Sequence, residues 1–150
     1  MISFDPAARR SGSAQAGADF IWLPRRRRSV GAARGLLRTF LGGVPGGDGL
    51  LAAGELVLSE LATNAIEHAS VPPGRLIAVR FEMVSAQLRL EVHDASRAWP
   101  TVRPLAGGYE ESGRGLLLVE SMAAGWGCCL RPGGVGKFVW AVVGPVEGES

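Results

Sequence analysis

The chain has 150 residues, 47% of them hydrophobic, and a net charge of +2, enough to bury roughly two thirds of its unfolded surface in a single core. No uninterrupted apolar run approaches the ~20 residues of a membrane span, and the N-terminal MISFDPAARRSGSAQAGADF lacks the apolar stretch of a secretion signal, so a cytoplasmic protein without a membrane anchor is expected. The charge is uneven: residues 1–40 carry eight Arg and two Asp, +6, whereas residues 41–150 carry eight basic and twelve acidic residues, −4.

Residues 1–18 are rich in Ala, Gly, Ser and Arg without periodicity and read as a disordered tail, leaving 19–145 as the folded domain. DFIWLP offers a short strand closed by Pro24. The basic run Arg25 to Arg28 follows. With no aromatic or further basic interleaving it reads as a solvated strand-to-helix corner, and direct nucleic-acid binding is not expected. From Ser29, a candidate N-cap, SVGAARGLLRTFLG places Val30, Ala33, Leu36, Leu37, Phe40 and Leu41 on one helical face and ends at Gly42-Gly43. Asp48 is a candidate cap for the next helix, which contains ELVLSELATNAIEHAS and stops at the Pro72-Pro73-Gly74 cluster.

RLIAVRFEMV and AQLRLEVHD read as two strands joined by a tight turn near Ser85. In the second, Leu88, Leu90 and Val92 alternate with Arg89, Glu91 and His93, which predicts one buried and one wet face. Residues 95–112 have no period, two prolines and two glycines, the marks of a functional lid. GRGLLLVESMAAG is a helix opened by a glycine-rich turn. WGCCLRPGGVGKFVWAVVG closes the chain as a hairpin about Gly133-Gly134. Cys128 and Cys129 are adjacent in its first strand, so they point to opposite faces and suit neither a disulfide nor a C-x-x-C metal pair. Helices kept apart from a mainly antiparallel sheet indicate a two-layer α+β sandwich.

Four polar residues recur along one side of the second helix. Glu60, Asn64, Glu67 and His68 stand at i, i+4, i+7 and i+8 and share one strip. Three other segments suit a nucleotide. Asp94 ends a strand, where its carboxylate can accept from an exocyclic amine. Gly113 and Gly115 flank Arg114 at a helix start, where free N–H groups and the positive dipole end favour phosphate. Lys137 follows a third glycine turn. Neither glycine segment completes a Walker A or Rossmann pattern.

The ordered set ELATNAIEH, VHD, GRGL and GK-F-VW resembles the ATP-binding domain shared by gyrase-type ATPases and histidine kinases, and within it the small bacterial anti-sigma-factor serine kinases. The resemblance covers about residues 19–143. It implies a Bergerat-type fold that binds ATP with Mg²⁺. Asn64 matches the magnesium-holding residue, Glu60 the general base, Asp94 the adenine-reading acid, and Gly113, Arg114 and Gly115 the phosphate-wrapping motif. Glu67 and His68 are assigned no chemistry. Two segments depart from the pattern. Asp94-Ala95-Ser96-Arg97-Ala98 stands where Asp-x-Gly-x-Gly is common, and Lys137-Phe138 where many relatives carry Thr; a lysine there can still contact phosphate or be exposed.

The implied function is that of an ATP-dependent serine/threonine protein kinase acting as a partner-switching regulator. Its partners would be a sigma factor and an antagonist protein, and it would form a homodimer through the sheet edge or first helix. The alternative is an ATP-dependent binding module for the same partners with little phosphoryl transfer, which the altered Asp94 motif favours. A third reading is an ATPase or nucleic-acid-associated domain using Arg25 to Arg28.

Overall fold

A computed structural model describes residues 20–67, 75–95, 111–132 and 136–144. The expected tail, His68, nearly all of the expected lid and the Gly133-Gly134 turn lie outside the described residues.

The first strand, β1 (Ile21–Pro24), alternates between half-buried Ile21 and Leu23 and exposed Trp22 and Pro24. A strand ending in proline suits a sheet edge, because proline has no N–H for a further ladder. Helix α1 (Arg28–Gly42) follows, with Ala33, Leu37 and Leu41 buried at four-residue spacing, and Val30, Leu36 and Phe40 partly buried against the same core. Ser29 lies inside this helix and is not its cap. Its hydroxyl instead donates to the Pro24 carbonyl at 2.5 Å, tying β1 to α1.

A 3₁₀ turn over Gly47–Leu50 leads into α2 (Leu51–Glu67). Asp48 sits within that turn, whose own N-cap position is Gly46. Gly54 lets α2 pack close to its neighbours: a Cβ there would stand 2.9 Å from Leu88 Cδ2 and 3.3 Å from Leu37 Cδ2. Helix and turn together, Gly47–Glu67, are long and apolar enough to cross a membrane by length and hydropathy. Their apolar residues are nevertheless the domain core, with Val57, Leu58, Leu61, Ala65 and Ile66 packed in one cluster with Leu88, Leu90 and Val92. Burial of such side chains stabilises by roughly 1.5–3 kcal/mol each.

Strands β2 (Leu76–Val84) and β3 (Gln87–Asp94) form a hairpin whose turn holds Ser85 at φ 56°. Helix α3 (Glu111–Met122) and the hairpin of β4 (Gly125–Leu130) and β5 (Lys137–Val143) complete the described chain. The sheet order is β1-β2-β3-β5-β4, antiparallel at every pairing. Three helices and a five-stranded antiparallel sheet make the expected two-layer α+β sandwich, with the main core between the layers.

The second face of β3 departs from expectation. Arg89, Glu91 and His93 are buried, as are Arg80 and Glu82 on β2. Alternation marks which side chains share a face; it does not reveal whether that face is wet. The charges are tolerated because they are paired. Glu91 binds Arg80 at 3.0 Å and also binds Arg89, Arg80 lies 3.6 Å from Glu82, and Glu91 lies 2.8 Å from His93 Nε2. Aromatic rings flank the network, with Phe20 edge-on to His93 and Phe138 stacked on it, both at 4.7 Å between ring centres. Cys129, Phe138 and Trp140 form a smaller apolar cluster on this side.

Burial lowers the His93 pKa from 6.5 to about 3, helped by the nearby charges of Arg131, Arg80 and Arg89 and opposed by Asp94. The unfolded chain binds a proton at this site below pH 6.5 that the folded chain refuses down to about pH 3. Stability from neutral His93 is therefore full above pH 6.5 and is lost as pH falls. By proton linkage the loss between pH 7.5 and 5 is about 2 kcal/mol. Urea unfolding at the two pH values should show this fall in the wild type and a smaller one in His93→Gln; equal falls would remove His93 as the cause.

Candidate functional site

Two anchors fix the direction of α2 across the sheet. Gly54, near its start, rests on Leu88 at the beginning of β3. Near its end, the Ile66 carbonyl accepts from Arg25 Nη1 at 3.0 Å, and Arg25 follows Pro24, which pairs with Leu76. Since β2 runs antiparallel to β3, Leu76 lies beyond the Ala78↔His93 pair, at the end where β3 finishes. The polar strip of α2 thus leads from Glu60 through Asn64 toward the Asp94 end of the sheet.

Asn64 is half-buried, and its Nδ2 is buried without a hydrogen-bond partner among the described residues. Leaving such a group unsatisfied costs on the order of 1–3 kcal/mol, and a bound ligand is one partner that would satisfy it. The two ends of an amide are interchangeable by a flip, so the orphan end can equally present its oxygen, the donor that magnesium takes. Asn64 therefore fits the metal role. Glu60, one turn earlier and half-buried, lies on the same strip. Glu67 at the far end lies 3.6 Å from Arg27 Nη2, an exposed pair. Arg25 and Arg27 thus both hold the end of α2, which gives two of the four arginines in the basic run a role within the fold.

Asp94 continues the alternation of Leu88, Leu90 and Val92 and so lies on the helix-facing side of β3. It is in register with Lys137, the first residue of β5. The Lys137 ammonium donates to both Asp94 carboxylate oxygens at 2.9 Å, and both side chains are buried. The structure thus joins two residues that the sequence placed in separate segments, with Lys137 on the acid instead of alone at a phosphate. Sequence reasoning also missed Gly136. Its φ is +84°, and a Cβ there would stand 2.0 Å from the Asp94 carbonyl oxygen. The local signal was a glycine before a lysine; its meaning needed the β3–β5 pairing.

Gly113, Arg114 and Gly115 fall inside α3, which begins at Glu111, and not in a turn before it. Gly113 and Arg114 are among the first four helical residues, whose N–H groups have no intrahelical partner; Gly115 is the fifth. Helix α3 packs against α2, so this N–H-rich end belongs to the same helical layer as the polar strip.

Burial raises the Cys128 thiol to about 12, against the pull of nearby Lys137. A thiol held in that state is no nucleophile at neutral pH.

No curated protein matches the chain. Among solved structures, the histidine kinase domain of the Erythrobacter litoralis EL346 blue-light activated histidine kinase is similar at 21% identity and a TM-score of 0.43, with 94% of this chain and 75% of that one covered. Residues 23–139 match the family described as histidine kinase-like ATPase domain. That span includes α1, α2, α3 and most of the sheet, with Glu60, Asn64, Asp94 and Lys137 all inside it. The chain belongs to the histidine kinase-like ATPase domain family.

Proposed function

We propose that this domain binds ATP with Mg²⁺ between its helical layer and the Asp94 end of the sheet, and transfers the γ-phosphoryl group to a serine or threonine of a small antagonist protein. In this reading it is an anti-sigma-type partner switch, binding a sigma factor and its antagonist as a homodimer. Family membership supports the nucleotide. The observation that carries the site is the orphan amide of Asn64, one turn beyond Glu60 on the strip leading to Asp94.

Each residue has a stated task. Asn64 would hold the metal, which when bound neutralises charge on the triphosphate. Asp94 accepts from the exocyclic amine of the base. The N–H groups of Gly113 and Arg114 favour phosphate. Glu60 takes the proton of the incoming hydroxyl, leaving its oxygen free to attack phosphorus.

One observation favours the alternative of a binding module with little phosphoryl transfer. Asp94 is already bound by Lys137, and the stretch after it, Ala95-Ser96-Arg97-Ala98, lacks the glycines that let such a loop turn freely. Radiolabelled ATP incubated with the chain and partners co-purified from its host separates the two. Label on a serine or threonine of a partner supports the kinase. ATP and a sigma factor bound without label moves the domain to the module class.

A further inference from the structure

We propose that Arg25 is a positioning residue of the Mg²⁺–ATP site: it holds the last turn of α2 from the sheet edge, and so fixes Asn64, the residue that would ligate the metal. This rests on the ATP reading above and deepens it.

Asn64 stands where its own helix holds it least. With Ala65, Ile66 and Glu67 it makes up the last four residues of α2, whose carbonyls have no intrahelical partner, and terminal turns open more readily than a helix interior. Displacing a site residue by about 1 Å can cost ~10²-fold, so the turn needs a hold from outside. Arg25 supplies one. Its Nη1 donates to the Ile66 carbonyl at 3.0 Å, in a partly buried bond between residues 41 positions apart. A guanidinium suits that end, because it meets an orphan carbonyl and the negative pole of the helix dipole together.

Arg25 is in turn seated on the sheet. The Pro24 carbonyl accepts from the Arg26 N–H at 2.9 Å and from the Ser29 hydroxyl at 2.5 Å, and Pro24 pairs with Leu76 on β2. The bond to Ile66 thus ties the turn bearing Asn64 to a fixed strand end. Arg27 reaches the same end of α2, but its 3.6 Å pair with Glu67 leaves the arginine side chain 88% exposed, and exposed pairs contribute little. Arg25 carries the hold.

Calorimetry of ATP binding in Mg²⁺ and in EDTA tests this on wild type, Arg25→Gln, Arg25→Lys and Arg27→Gln, with thermal melts to confirm folding. Arg25→Gln should lower ATP affinity in Mg²⁺ by ~10- to 100-fold, the usual effect of losing a group that orients a metal ligand, and leave affinity in EDTA near wild type. Arg25→Lys, which keeps a charged donor, should recover most of the loss, and Arg27→Gln should match wild type. Hydrogen exchange in Arg25→Gln should quicken over residues 64–67 and not around Gly54. Should Arg25→Gln fail to fold, Arg25→Met is read in its place, with the same effects expected. An unchanged affinity in Mg²⁺, an equal fall with and without the metal, an equal fall in Arg27→Gln, or unchanged exchange at the end of α2 overturns the inference and leaves the ATP site standing. Wild type that binds no ATP, or binds it equally in Mg²⁺ and EDTA, overturns both.

Discussion

Under the proposed kinase reading, replacing Glu60 with Ala should lower phosphoryl transfer to the partner protein by ~10²- to 10⁴-fold, the usual contribution of a general base, while ATP affinity stays within a few fold. The split follows from position. Glu60 lies one helical turn before Asn64 on the α2 strip, so in the proposed site it would border the nucleotide where a substrate hydroxyl enters. A group that only bound ATP would change affinity and rate together. Single-turnover labelling beside calorimetry checks the split. Equal labelling by both proteins would remove Glu60 as the base; loss of ATP binding in the variant would make it a binding residue.

Gly136→Ala should cost ~2–5 kcal/mol of stability. Two terms contribute. Alanine at the φ of +84° found for Gly136 is strained, by roughly 1–2 kcal/mol. Its Cβ would also stand 2.0 Å from the Asp94 carbonyl oxygen and 2.8 Å from Ala95 Cα, and overpacking against backbone adds roughly 1–3 kcal/mol because no rotamer can relieve it. Urea denaturation should show the loss as a lower midpoint at an unchanged slope. The same substitution must shift Asp94, so ATP binding by the surviving folded fraction should weaken as well. A midpoint equal to wild type would mean that β5 can begin without this close approach.

The strongly periodic segments were legible in the sequence. Leu37 and Leu41 on α1, and Leu58, Leu61 and Ala65 on α2, follow the helical period and are buried. Leu88, Leu90 and Val92 follow the strand period and line the same core. What alternation could not reveal was the state of the other face of β3, where Arg89, Glu91 and His93 are buried through pairing with residues of β2 and contact with Phe20 and Phe138. Those partners lie in other elements, and a single strand carries no record of them.

The site divides along the same line. That Glu60 and Asn64 share one strip was readable because both lie on one helix at a spacing that any helix imposes. The pairing of Asp94 with Lys137 was not, since 43 residues separate them and only the β3–β5 ladder brings them together. Ser29 shows the limit at short range. Its residue type favoured a cap, yet the cap position falls two residues earlier, at Arg27, and the hydroxyl holds Pro24 instead.

The most direct measurement of the nucleotide site is calorimetry of ATP binding with and without Mg²⁺, on wild type and Asn64→Ala. Asn64 is the residue whose buried amide lacks a partner among the described residues, at the place where α2 leads toward the Asp94 end of the sheet. Micromolar binding that depends on Mg²⁺ in the wild type and vanishes in Asn64→Ala is the expected result. No heat from the wild type at millimolar ATP, or equal affinity in the two proteins, would contradict the site.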